Sequence, residues 1–277
     1  MTVGLAGKSI VLEANDLRHR VLSYGAPDAQ PVLLLPGITS PAGTADFLAT
    51  RIADLGFAVI VPDIRGRGDT DTPPPGNYRL QDYAADVHGI VRELGLVAPI
   101  VIGHSMGARI AAAYAVDHAG PEHNLIVLVD PPLSGPGRDP YPTGLDSFMA
   151  QLNEAKAGTT VEAVRRFYPK WPERELLLRI ELLPTCDETA VRETHAGFEQ
   201  EDFFPYWRHL APPTVLLYGA DSPVVTAAGV ADLAEANPDI PRIAIPEAGH
   251  MIPWDNFDGF FKELAPLLTR TAGQGGR

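Results

Sequence analysis

The chain has 277 residues, 45% hydrophobic and 21% charged, with a formal charge of -13. That length suits one large α/β domain. No run approaches the eighteen or so apolar residues of a membrane span, and the acidic balance argues against nucleic-acid or anionic-lipid partners. Cys186 is the single cysteine, so no intramolecular disulfide can form, and the leading MTVGLAGKSIVLEANDLRHR lacks the regions of an export signal. The expectation is a cytoplasmic protein.

Short β-rich runs alternate with helical patterns through the first half. SIVLEA, HRVLSY and PVLLLP are followed by a helix over about 45 to 55, FAVIVP, a helix over about 79 to 94, APIVIG, a helix from Met106 to His118, and NLIVLVD. VLLLP and IVLV are apolar throughout, the pattern of parallel strands covered by helices on both faces, which predicts a doubly wound α/β sheet. From about 133 to 208 the pattern turns to helical segments such as VEAVRRFY and ERELLLRIELL, broken by prolines and rich in aromatics. This stretch reads as a helical lid. Alternation resumes with TVLLYG, a helix over about 227 to 236, RIAIP, and a closing helix from about Phe257 to Leu268, before a tail, AGQGGR, that is predicted to be disordered. Residues 1–132 and 209–277 then form one core, and 133–208 an insertion into it.

VIGHSMGARIAAAYA holds Gly103-His104-Ser105-Met106-Gly107 between an apolar run and an Ala-rich helix. G-x-S-x-G alone is a weak signal, but at a sharp strand-to-helix turn the two glycines permit close packing and thrust the serine oxygen out at the helix N-terminus. A serine hydroxyl is a poor nucleophile at neutral pH and needs a base, and the base needs a carboxylate to orient it. His250, in PEAGHMIPWD, follows the last predicted strand and reaches the sheet edge that carries Ser105. Among the other histidines, His19 lies in an early strand, His88, His118 and His123 lie on or beside helices, His195 and His209 belong to the lid, and His104 shapes the elbow.

Two residues compete for the acid. The usual G-x-x-D position after the seventh strand here reads Gly219-Ala220-Asp221-Ser222, so Asp221 stands one residue early. Asp130 ends the sixth predicted strand, beside the strand that bears Ser105, and Pro131 and Pro132 restrict its exit. Asp130 is favoured and Asp221 remains the alternative. The oxyanion donors are expected to be the N–H of Met106, after the nucleophile, and that of Ile38 in the loop LLLPGITSPAG, where Thr39 and Ser40 add hydroxyls. The Gly-rich DIRGRGDTDTPP lacks the ending of a phosphate-binding loop and is expected to be structural.

These residues resemble the α/β-hydrolase superfamily over nearly the whole chain. LLLPGITSPA, DIRGRG, GHSMGAR, VLVDPPLSGPGR, NPDI and AGHMIPWDNFDGFF are similar to the N-formylmaleamate deformylases, amide hydrolases of bacterial nicotinate breakdown. The resemblance implies an α/β-hydrolase fold, a mostly parallel eight-stranded sheet flanked by helices with the lid after the sixth strand. It also implies a Ser105, His250, Asp130 triad hydrolysing N-formylmaleamate to formate and maleamate with no metal or organic cofactor. Asp221 departs from that family's pattern. Pro253 and Trp254 are expected to join Ile38 and Met106 in a narrow apolar wall, and Arg138, Tyr141, Tyr168, Trp171 and Trp207 are candidates for a small anionic amide substrate. The alternatives are a carboxylesterase, lactonase or carbon-carbon bond hydrolase with the same triad, and a non-catalytic small-molecule receptor of this fold.

Overall fold

The computed structural model describes residues 3–119 and 125–272, so His123 and the tail beyond Ala272 lie outside the described residues. The elements of the first half are β1 (Lys8–Ala14), β2 (Leu17–Tyr24), β3 (Pro31–Leu35), α1 (Asp46–Ala53), β4 (Ala58–Pro62), α2 (Leu80–Glu93), β5 (Ile100–His104), α3 (Met106–Tyr114) and β6 (Leu125–Val129). Five helices follow: α4 (Leu145–Ala157), α5 (Val161–Arg165), α6 (Glu173–Leu182), α7 (Glu188–Gln200) and α8 (Phe204–His209). The chain then returns through β7 (Thr214–Gly219), α9 (Ala227–Ala236), β8 (Arg242–Ile245), α10 (Ile252–Asp255) and α11 (Phe257–Ala272).

The strands form one eight-stranded sheet in the order β1-β2-β4-β3-β5-β6-β7-β8. β2 pairs antiparallel with β1 and β4, and the remaining neighbours are parallel. Because side chains alternate across a strand, the apolar runs feed two cores. Leu33, Leu35, Val101, Ile126 and Leu128 join Val87 of α2 and Ile110 of α3 on one face. Val32, Leu34, Ile102, Val127 and Val129 join Ile52 of α1 and Phe260 and Leu264 of α11 on the other. A strand buried on both faces has no position for a polar side chain, which is why these runs do not alternate.

The helices between β6 and β7 do not form a separate core. Leu152 of α4, Val191 and Phe198 of α7 and Trp207 of α8 are buried in the same cluster as α2 and α3. Only Val164, Trp171 and Leu176 make a small cluster of their own. Three details differ from the sequence expectation. The helix after Ser105 gives way at Ala115–Ala119 to a π-helical turn, the closing helix runs on to Ala272, and a short helix, Ile252–Asp255, follows His250. Among the described residues no helix is long and apolar enough to cross a membrane.

Candidate active site

Ser105 sits between β5 and α3 with φ 56° and ψ -119°, a conformation that costs energy in a non-glycine residue and persists only where packing imposes it. The two glycines of the motif supply that packing. A Cβ on Gly103 would lie 2.1 Å from the Gly107 carbonyl oxygen, and one on Gly107 would lie 2.1 Å from that of Leu35. Any side chain at either position would push α3 off the sheet. The strand-to-helix turn thus closes tightly enough to hold the serine hydroxyl over the carboxyl edge of the sheet.

Two other loops at that edge bring their residues to Ser105. His250, after β8, meets Ser105 Oγ through Nε2 at 3.0 Å and Asp130 Oδ2 through Nδ1 at 2.7 Å. Asp130 is fully buried just beyond β6, and its backbone has φ 50°. The left-handed conformation turns its carboxylate back over β7, where the Gly219 N–H donates to Oδ1 at 3.1 Å and the Ser222 hydroxyl donates to Oδ2 at 2.6 Å. Both ring nitrogens of His250 therefore have partners. Asp221 is exposed, and its backbone N–H donates to Ala248 O instead. The residue at the fourth place of that turn, Ser222, is the one that reaches the Asp130 carboxylate.

His104 braces the base from behind: its Nε2 lies 2.9 Å from the His250 carbonyl oxygen. Burial, reinforced by the neighbouring His250, lowers the His104 pKa to about 3, so this imidazole is neutral and donates to that carbonyl. Burial raises the Tyr141 phenol above its ordinary range, and Ser105 is a hydrogen-bonding neighbour of its hydroxyl. That hydroxyl keeps its proton at neutral pH.

The loop after β3 closes the site on the other side. A Cβ on Gly37 would lie 3.5 Å from Ser105 Cβ, which places the Gly37–Ser40 turn against the serine. Ile38 and Met106 are both buried beside it. Two arginines hold consecutive carbonyls of this loop. Arg67 Nε donates to Ile38 O at 3.0 Å. Arg179, from α6, donates to the Thr39 carbonyl through Nη1 and to Thr39 Oγ1 at 2.9 Å through Nη2.

A cavity of about 280 Å³ opens onto Ser105, and Ile38, Thr39, Ser40, Tyr141, Tyr168 and Arg179 contribute to its wall. Phe148, Gln151, Phe167 and Met251 also line it. Arg179 is 3% exposed and forms no ion pair among the described residues; its contacts are Thr39 and the Tyr168 hydroxyl, 3.3 Å away. It is the cation of this cavity.

Five of the expected pocket residues lie elsewhere. Arg138 lines a separate cleft of about 100 Å³, with its guanidinium 3.2 Å from the Phe204 ring centroid and 3.4 Å from Asp232. Trp207 is buried in the main core, where its indole N–H donates to Leu233 O at 2.8 Å. Trp171 stacks on Trp254 at 5.0 Å and backs Tyr168 at 4.2 Å, so both indoles support the wall from outside. Pro253 is buried in the first turn of α10. Trp171, Trp207 and Trp254 satisfy their large apolar area by packing on other rings. Arg179 was missed although it lies three residues after Leu176 and four before Leu183, on the buried face of an amphipathic helix. Ser222 carried no comparable signal.

Among the described residues no group of three or more His, Cys, Asp or Glu side chains is placed to hold a metal ion. Hydroxyl, imidazole and carboxylate in one hydrogen-bonded row, with a turn of backbone against the hydroxyl, can activate an oxygen nucleophile and receive an anion.

The chain has known relatives across nearly its whole length. The chain is 37% identical over 268 residues to N-formylmaleamate deformylase of Pseudomonas putida, covering 97% of this chain and 98% of that one. It is 27% identical to 2-(acetamidomethylene)succinate hydrolase of Mesorhizobium japonicum, covering 98% and 97%. The crystal structure of the N-formylmaleamic acid deformylase from Pseudomonas putida S16 superposes with a TM-score of 0.86 at 35% identity, covering 93% of this chain and all of that one. With residues 30–257 also matching the family defined by the α/β hydrolase fold, the chain belongs to the α/β-hydrolase fold family.

Proposed function

We propose that the protein is a serine hydrolase that cleaves a small anionic N-formyl amide, N-formylmaleamate to formate and maleamate, with Ser105 as nucleophile, His250 as base and Asp130 as the acid that orients it. The observation that carries this reading is Arg179, a buried guanidinium with no carboxylate partner among the described residues, in the wall of the cavity that opens onto Ser105. A charge held out of water without a counter-ion is costly, and a substrate carboxylate would relieve that cost. The two hydrolases aligned over the chain support the same class, since each is named for an acylated nitrogen compound that carries carboxylate.

In this mechanism Ser105 attacks the formyl carbon while His250 Nε2 takes the hydroxyl proton, and Asp130, itself held by the Ser222 hydroxyl, keeps the imidazolium in place. The anionic oxygen is received by the N–H groups of Ile38 and Met106. His250 then gives its proton to the departing nitrogen, releasing maleamate. That nitrogen bears a second acyl group and leaves far more readily than a simple amine. Water, deprotonated by His250, attacks the formyl-serine and yields formate. Tyr168 and Gln151, joined at 3.0 Å, sit beside Arg179 and would contact the maleamate end. Residues 133–208 serve as the lid over this cavity.

The test is formate release from N-formylmaleamate by the wild type and by Ser105→Ala at neutral pH. Rapid release by the wild type alone is the expected outcome. A wild type that turns over p-nitrophenyl acetate but not the N-formyl amide would instead support the esterase or lactonase reading.

A further inference from the structure

Arg67, in the Gly-rich turn after β4, is 1% exposed, and all five of its N–H groups have neutral acceptors. Nε donates to Ile38 O at 3.0 Å, Nη1 to Arg65 O at 2.8 Å and the Tyr83 hydroxyl at 2.9 Å, and Nη2 to Ala190 O at 3.2 Å and Thr194 Oγ1 at 2.8 Å. Nη2 also lies 4.0 Å from the sulfur of Met106. Two residues earlier, Arg65 meets Asp86 through two contacts of 2.6 Å. Arg67 has no such partner among the described residues, although it is the more deeply buried of the two.

A link between a loop and a helix can be made with neutral hydrogen bonds. Placing a full charge there, with no counter-ion, is an expensive way to make one. The guanidinium does not line the cavity, so it is not a substrate contact. It does touch both residues proposed as oxyanion donors, Ile38 by hydrogen bond and Met106 through its sulfur. The anion that would repay its burial is one that exists only during the reaction, at the carbonyl oxygen attacked by Ser105.

We infer that Arg67 is a positioning residue for the oxyanion hole: it anchors the Ile38 carbonyl, sets the direction of the opposite face of that residue, and adds a fixed positive charge behind the developing oxyanion. This rests on the reading of Ser105 as nucleophile. Preorganised charge in a dry site acts on the transition state without reorganising, so its loss is felt in kcat more than in KM. The bonds from Nη2 to Ala190 and Thr194 make the same arginine depend on α7, which ties the geometry of the hole to the seating of the insert.

The experiment compares wild type, Arg67→Met and Arg67→Lys in four readouts: fold by thermal melting, Ser105 labelling by a fluorophosphonate, kcat and KM for formate release, and affinity for a peptide-free boronic acid that forms an anionic tetrahedral adduct on serine. Arg67→Met is expected to lose about 10- to 100-fold in kcat, with KM within about twofold and boronate affinity lower by a similar factor. Arg67→Lys, which keeps the charge, recovers most of that loss. Folded Arg67→Met with unchanged kcat and boronate affinity overturns the inference. Equal impairment of the Met and Lys variants overturns the role of the charge. Arg67→Gln, which retains part of the hydrogen bonding, stands in with the same outcomes should Arg67→Met not fold. Absence of labelling in the wild type overturns the reading of Ser105 itself, and the inference falls with it.

Discussion

Ser222 donates a 2.6 Å hydrogen bond to Asp130 Oδ2, the same oxygen that meets His250 Nδ1 at 2.7 Å. Its hydroxyl also accepts the Val224 N–H at 3.1 Å, so one side chain holds both the acid and the turn that follows β7. Ser222 occupies the place in that turn where a hydrolase of this architecture commonly carries the acid itself. Ser222→Ala removes a hydrogen bond to a charged group and is expected to cost roughly 1.5–3 kcal/mol of stability. It should also lower kcat about tenfold by loosening Asp130. Thermal melting and steady-state kinetics check the two effects, and a variant that melts early but keeps full kcat would limit Ser222 to the turn.

The two candidate acids separate by substitution. Asp130→Asn leaves the shape of the site but changes the tautomer available to His250, and a loss of about 10³- to 10⁴-fold in kcat is expected. Asp221→Asn, at an exposed carboxylate, is expected to stay within about twofold of wild type. The opposite ranking would remove Asp130 from the triad.

Arg179 and Arg138 are distinguished by the cavities they line. Arg179→Met should raise KM for the anionic N-formyl amide by about 10- to 100-fold, the worth of a hydrogen bond to a charged group. Turnover of the neutral p-nitrophenyl acetate should change only a few-fold, which controls for folding and for the Thr39 contact. Arg138→Ala is expected to leave both KM values unchanged. A large effect of Arg138→Ala with none at Arg179 would relocate the carboxylate site.

Two buried histidines set an acid limb of stability. Burial lowers the pKa of His104 to about 3, and burial, opposed by Asp86, lowers that of His19. Both are neutral in the folded chain, whereas the unfolded chain binds protons with pKa near 6.5. Stability is therefore full above about pH 6.5 and falls on acidification until the folded-state pKa is reached. For His104 the slope approaches about 1.4 kcal/mol per pH unit between those limits; His19 acts in the same direction. Urea titrations between pH 7 and 4.5 should show a smaller slope for His104→Asn than for wild type. Equal slopes would assign the acid sensitivity to other groups.

Periodicity alone located the sheet and its flanking helices, because strands buried on both faces tolerate only apolar residues and so cannot be mistaken for loops. β3, β5, β6 and β7 are legible for that reason, and so is the turn at Ser105, where Gly103 and Gly107 are the only residues that fit between β5, β3 and α3. Pattern reading also gathered Ser105, His250 and Asp130 as candidates, since parallel strands deliver every such loop to the same edge of the sheet. It did not foresee the left-handed turn at Asp130 or the hydroxyl of Ser222. Those depend on which atoms of neighbouring strands remain unpaired once the sheet has formed.

The lining of the cavity was decided by tertiary structure alone. Arg138, Trp171 and Trp207 have the right chemistry for a small anion or an apolar wall, but Arg138 packs over Phe204, Trp171 against Trp254, and Trp207 into the main core. Arg179 became a cavity residue only when α6 seated it on Thr39, and Arg67, expected to be part of a structural turn, is enclosed by Ile38 and α7. One chain's pattern of polar and apolar residues determines which side chains are turned away from water. Which partner each buried charge then meets depends on contacts between residues distant in sequence, such as Arg179 with Thr39 and Asp130 with Ser222, and those exist only in the folded chain.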